Sequence, residues 1–144
     1  MEEKSDVYNE FIKGLSLKKL FILESEAKRE EDFKLPAKIT IEKEHTYKNE
    51  KDKIKVYIQY TLKATEEGKD EPGVSISIKY SLEYKSNAEM TDEFFDKFAK
   101  TSLLIETWPY FRQYVHETIL NMGLPPLVLD ILPFSKTRRT KKKK

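Results

Sequence analysis

The sequence predicts an α+β domain: a four-stranded antiparallel sheet backed by a long, kinked C-terminal helix. Three observations carry this. Two segments between residues 54 and 84 alternate apolar and polar residues strictly, the period of strands with one buried and one wet face. From Thr91 onward the period changes to that of a helix. Strand-like segments come first and helical ones last, the order of one sheet covered by one helical layer.

Residues 1–15 are the least defined. Tyr8, Phe11, Ile12 and Leu15 share one helical face, and Gly14 limits any helix there to a short one. Leu17 to Lys28 reads as a strand. Its run Leu20-Phe21-Ile22-Leu23 is apolar at both parities, so one pair must leave the core face of its own sheet. That pair can serve a subunit interface or a client groove, or a bulge can reunite the two. Pro36 punctuates. Ile39 and Ile41 alternate with Lys38, Thr40 and Glu42 in a second half-buried strand that ends near Tyr47, and Asn49 to Lys53 is turn-like. Ile54, Val56, Ile58, Tyr60 and Leu62 define the third strand, and Val74 through Tyr84 the fourth. The charged loop between them, from Glu66 to Gly73, is short enough that the two strands pair antiparallel.

Thr91 suits a helix N-cap, with Asp92 and Glu93 in the first turn where the helix dipole favours acids. Phe94, Phe95 and Phe98 mark one side, and apolar residues continue to Trp108-Pro109. A proline inside a helix removes a hydrogen bond and clashes one turn back, so a boundary or kink is expected there, with Pro109 opening a new helix. Phe111, Val115, Ile119 and Met122 then form a stripe. Gly123 fits the position after the helix end, and Pro125-Pro126 prevents continuation. Leu127, Leu129 and Ile131 form a short extended apolar segment. Residues 1–134 read as a single domain and 135–144 as a basic tail.

Composition narrows the function. The 144 residues suffice for one domain, and Leu, Ile, Val and Phe make up about a quarter of them, enough for a core. With no cysteine, disulfide frameworks, thiolate metal sites and cysteine nucleophiles are excluded. Four scattered glycines build no phosphate cradle, and His45 and His116 lie on different elements. No motif marks a catalytic centre, cofactor or metal, so the expectation is a non-enzyme. The net charge of +2 hides an asymmetry: residues 136–144 carry seven of the 27 Lys and Arg and no acid, which leaves the preceding domain acidic. No apolar run is long enough to span a membrane, and the N-terminus lacks the basic and apolar regions of a signal peptide, so a cytoplasmic protein is expected.

The segment Trp108-Pro-Tyr-Phe-Arg-Gln-Tyr-Val-His-Glu-Thr-Ile-Leu-Asn-Met-Gly-Leu-Pro-Pro-Leu-Val-Leu-Asp130 resembles the signature region of the bacterial protein-export chaperone family SecB. Trp108, Pro109, Tyr110 and Arg112 match its helix start, with Gln113 in place of an acid; Gly123, Pro125, Leu127 and Leu129 match its end. Together with the element order, the resemblance covers roughly residues 10–134. It implies an ATP-independent holdase for unfolded or non-native clients, assembled as a tetrameric dimer of dimers, with relatives that serve toxin–antitoxin systems. Two features depart from the family. KTRRTKKKK stands where the family has a second C-terminal helix. The acidic surface that docks the export ATPase is not traceable residue by residue, although Glu24 lies in a comparable strand.

Candidate client contacts are Leu20, Phe21, Ile22, Leu23, Tyr57, Phe94, Phe95, Phe98, Trp108 and Tyr110. One pair of the first strand, Phe21 and Leu23 or else Leu20 and Ile22, is expected to join Tyr57 and part of the helix face around Phe94 to Tyr110 in a continuous apolar groove. Each has a plainer reading. Phe94, Phe95 and Phe98 suit a core or interface, Tyr57 an ordinary exposed tyrosine, Trp108 and Tyr110 a brace for the helix kink, and Arg112 a structural ion pair. A different class of function is a basic-tailed interaction module that binds nucleic acid, ribosome or one protein partner through clustered Lys and Arg.

Overall fold

The computed structural model describes residues 2–129. The chain forms α1 (Glu2–Lys13), β1 (Ser16–Arg29), β2 (Ala37–Glu50), β3 (Lys53–Glu66), β4 (Val74–Lys85), α2 (Asp92–Lys100) and α3 (Ser102–Asn121). The four strands make one antiparallel sheet in the order β1-β4-β3-β2. This is the expected α+β architecture. The proposed domain boundary at residue 134, Ile131 and the basic tail lie outside the described residues.

The two cleanly alternating segments became the central strands. Every second residue of β3 from Ile54 to Ala64, and of β4 from Val74 to Tyr84, is buried on the face that carries the helices. Trp108 and Phe111 of α3 pack on Tyr60, with ring centroids 5.6 and 4.6 Å away. Phe98 of α2 packs on Tyr84, and Phe95 on Tyr47 of β2. Full burial of each such side chain stabilises by about 2 kcal/mol relative to exposure. The N-terminal helical face is real: Tyr8 and Phe11 of α1 meet Phe94 of α2 at 5.5 and 4.9 Å.

The edge strands behave differently. β2 runs three residues past the expected end at Tyr47 and stays in unbroken register with β3 to a two-residue turn, in which Asp52 takes φ 62°. β1 is almost wholly exposed and is bulged twice, between Leu17 and Lys19 and between Ile22 and Glu24. Between the bulges Leu20 and Ile22 pair with Leu82 and Tyr80 at the core parity, whereas Phe21 pairs with Ser81 on the opposite face. The parity conflict is thus handled by bulges at both ends of the apolar run, not by burial of that run.

The helix boundary expected at Pro109 falls instead at Thr101, which leaves helical geometry at φ −127° and ψ −85°. Its hydroxyl donates to the Lys97 carbonyl at 2.9 Å, a local bond that competes with helix continuation. α3 then runs through Pro109. Leu104, Trp108, Phe111 and Val115 form one buried stripe across the proline, while Ile105 and Pro109 face out. The proline deprives the Ile105 carbonyl of its i+4 donor on the solvent side, where water can replace it. Burial of the stripe holds the helix through.

Candidate functional site

Hollows of differing chemistry open on the surface of the described residues. One of about 320 Å³ lies between the β2–β3 turn and residues 86–89, and is lined by Asn49, Lys51, Asp52, Asn87 and similar polar groups. One of about 380 Å³ runs along α3, between Arg112, Gln113 and His116 and the segment Leu127–Leu129. The third is smaller, about 100 Å³, but its lining is apolar throughout, and apolar enclosure with a few polar anchors is what a binding cleft requires.

This cleft is assembled from four places in the chain. Leu62, Ala64 and Val74 of the central strands and Ile39 of β2 form its floor. Phe33 and Leu35 of the β1–β2 connection form one wall; Ile119 and residues 124–127 form the other. Phe33 is buried because Gly73 lies beneath it: a Cβ at Gly73 would sit 2.5 Å from the ring. The amide of Glu30 donates to the Gly73 carbonyl at 2.8 Å and that of Glu67 to the Pro36 carbonyl at 3.3 Å, which ties the connection to the β3–β4 loop. Glu66 adds a third tie. Its carboxylate accepts from the Lys34 amide at 2.5 Å and pairs with Lys69 at 2.8 Å, and the Lys69 bond, followed by the Lys34 bond, holds its pKa below the ordinary 4.5.

The opposite wall is shaped by the end of α3. Gly123 takes φ 76°, and the amides of Gly123 and Leu124 return to the carbonyls of Leu120 and Ile119. The chain then doubles back along the helix, where Arg112 donates from Nε to the Leu129 carbonyl at 3.2 Å. Gly123 thus turns the chain, Pro125 and Leu127 line the cleft, and Arg112, expected in an ion pair, bonds the Leu129 carbonyl instead. Leu35 projects at the rim, 53% exposed. Beside it runs the outer edge of β2, with which nothing pairs among the described residues.

The ten candidate client contacts do not meet in one groove. Phe95, Phe98 and Trp108 are core side chains, and Phe94 is half-buried under α1. Tyr57 lies on the sheet face opposite the helices, beneath the Lys79 ammonium, in the row that runs through Ser81 to Phe21. Phe21, Ile22 and Leu23 are 47, 52 and 49% exposed on β1, and Tyr110 is exposed beside Tyr80, with Leu20 half-buried. The sheet separates Tyr57 from the helix-side group, so the continuous groove expected from sequence is not formed within this chain. Sequence reading missed Phe33, Leu35, Ile39 and Ile119. The only local signals were an aromatic and a leucine beside Pro36 in a charged connection.

Among the described residues no group of His, Asp and Glu is arranged to hold a metal, and no helix is long and apolar enough to cross a membrane. No protein-family model matches the chain, and no curated protein matches its sequence. Among solved structures it is similar to the Mycobacterium tuberculosis Rv1957 SecB-like chaperone, solved in complex with a ChAD peptide from the Rv1956 HigA1 antitoxin. The TM-score is 0.68 at 19% identity, over 84% of this chain and 92% of that one. A Streptococcus agalactiae protein of unknown function aligns at a TM-score of 0.38 and 9% identity, over 81% of this chain and 96% of that one. An antiparallel sheet of four strands, covered on one face by its C-terminal helices, is in this chain a SecB-like fold.

Proposed function

We propose that this chain is an ATP-independent holdase. It seats an apolar side chain of a non-native client in the cleft between the β1–β2 connection and the end of α3, with the client backbone extended along the outer edge of β2. The observation that carries the reading is the apolar cleft beside a strand edge with which nothing pairs among the described residues. Main-chain bonds to a sheet edge are sequence-tolerant, and a pocket beside them selects one anchor, the combination a binder of many unfolded segments needs. Such binding competes with aggregation by mass action and requires no nucleotide, metal or catalytic step.

The antitoxin peptide held by the mycobacterial SecB-like chaperone supports an antitoxin as one client of this chain, alongside other unfolded proteins. On the sheet face away from the helices, Lys53 pairs with Glu50 and Glu83, Lys55 with Glu50, and Lys63 with Glu42. That mixed surface supports client holding over docking of an export ATPase. The exposed run on β1, with Ile105 and Tyr110 outward on α3, supports self-association as a homotetrameric dimer of dimers. In this reading the protein is cytoplasmic, residues 1–134 form the working domain, and the basic residues 135–144 are an appendage to it.

The test is turbidity of a chemically denatured client diluted into buffer without ATP. The full chain is expected to suppress aggregation near stoichiometric amounts. Leu35→Asp, at an exposed position where stability should change by no more than about 0.5 kcal/mol, is expected to abolish suppression. Suppression that appears only with ATP, or that survives Leu35→Asp undiminished, would overturn the reading.

A further inference from the structure

Arg29 closes β1, and its guanidinium joins the β1–β2 connection to the end of α3, the segments that carry the two walls of the cleft. Nε donates to the Glu30 carbonyl at 3.1 Å. One terminal nitrogen donates to the carbonyls of Glu31 and Phe33, each at 3.4 Å, and the other to the carbonyl of Met122. Three acceptors thus belong to the β1–β2 connection, and the fourth is the C-cap of α3, 93 residues away in sequence. The last carbonyls of a helix lack intrahelical donors. Those of Ile119 and Leu120 receive the amides of Leu124 and Gly123, and that of Met122 receives Arg29. Gly123 is needed here for its φ of 76° and not for space, since a Cβ would make only ordinary contact with the guanidinium at 3.7 Å.

We propose that Arg29 is the positioning residue that sets the width of the client cleft, and with it the size of apolar anchor the cleft accepts, by tying the β1–β2 connection to the carbonyl end of α3. The inference rests on the reading of the cleft as a client site. A guanidinium presents five donors in one rigid plane, so it can hold two walls at a fixed separation; a lysine ammonium on a flexible stem cannot. The second determinant is depth. Phe33, whose carbonyl Arg29 holds and whose ring lines the cleft, rests on Gly73, and any side chain there must displace the ring. A cavity of about 150 Å³ accepts benzene. One of about 100 Å³ is matched to an aliphatic anchor in preference to an indole.

The experiment measures fluorescence anisotropy of the full chain with three fluorescein-labelled ten-residue peptides, identical except for a central Leu, Phe or Trp. Wild type is expected to bind the Leu peptide most tightly. Arg29→Met, similar in reach but without donors, is expected to weaken the Leu peptide about tenfold and the Trp peptide much less, so that the preference narrows or inverts. Arg29→Lys should fall between. Gly73→Ala should act in the opposite sense and sharpen the preference against Trp. If Arg29→Met does not fold, Arg29→Lys and Gly73→Ala decide the matter by the same readout. Equal weakening of all three peptides, or none, with wild type binding normally, overturns the role of Arg29 and leaves the client reading intact. Failure of wild type to bind any of the three overturns both.

Discussion

At the residue scale, the buried pair Thr107 and Tyr60 shows how one hydroxyl can govern a core. Thr107 Oγ1 donates to the Leu103 carbonyl at 2.8 Å and lies 2.7 Å from Tyr60 Oη. Having used its single hydrogen on the carbonyl, Thr107 accepts from Tyr60. Burial pushes the Tyr60 pKa up to about 12, so the phenol keeps the proton it donates. Thr107→Val keeps the shape but leaves the Tyr60 hydroxyl buried without its acceptor, which should destabilise by about 1–3 kcal/mol. Tyr60→Phe should cost less than that, because Thr107 keeps its bond to Leu103. Urea denaturation of both variants checks the order; equal or reversed losses would contradict the assigned direction of the bond.

At the element scale, the β1–β2 connection is fastened by groups that titrate. Glu66 holds the Lys34 amide, and its pKa is lowered in the folded protein. A carboxylate with a depressed folded pKa contributes stability that is fully present above its unfolded value and lost as pH falls through the folded one. The window therefore lies below the ordinary 4.5. Binding of the Leu peptide should be flat from about pH 7 to 5 and weaken progressively below about 4.5. Glu66→Gln, which keeps an acceptor but cannot titrate, should remove that acid limb. An identical acid limb in the variant would assign it to other carboxylates. The two sheet edges differ for a related local reason: bulges distort β1, whereas β2 keeps an unbroken fourteen-residue ladder with β3. An undistorted edge is the better template for an added strand.

At the scale of the whole molecule, one helical layer covers β3 and β4 completely and β1 hardly at all. Phe21, Ile22 and Leu23 expose about half of each side chain, and Ile105 and Tyr110 are exposed on α3. Apolar area of this kind on a chain of 17.1 kDa is expected to be covered by other copies. Light scattering of the full chain should return a multiple of 17.1 kDa at micromolar concentration, four copies in the proposed assembly. Phe21→Lys with Leu23→Lys should lower that mass while Leu35→Asp leaves it unchanged. A 17.1 kDa particle at all concentrations would sink the assembly and leave the client cleft as a property of the monomer.

What the sequence determined by itself was whatever a short window of physics decides. β3 and β4 were legible because strict alternation has one stable solution, a half-buried antiparallel pair. The Thr91 cap was legible from its own hydroxyl, which accepts the Phe94 amide at 3.1 Å, and the end of α3 from Gly123. The resemblance carried by Trp108 to Leu129 led to the right fold. As a helix boundary Pro109 misled, because propensity reports the local cost of a proline and not the buried stripe of Trp108 and Phe111 that outweighs it. Phe95, Phe98 and Trp108 misled as client contacts because aromatics of a helix look alike in sequence whether they face the core or a groove. Only the tertiary structure decided that β1 is an edge, that Tyr57 lies across the sheet from Tyr110, and that Phe33 meets Gly73 across the sheet end. It alone brings Arg29 to Met122. A cleft is made of surfaces left over when separate elements pack, so its width is set by contacts between residues far apart in the chain, which no local pattern encodes.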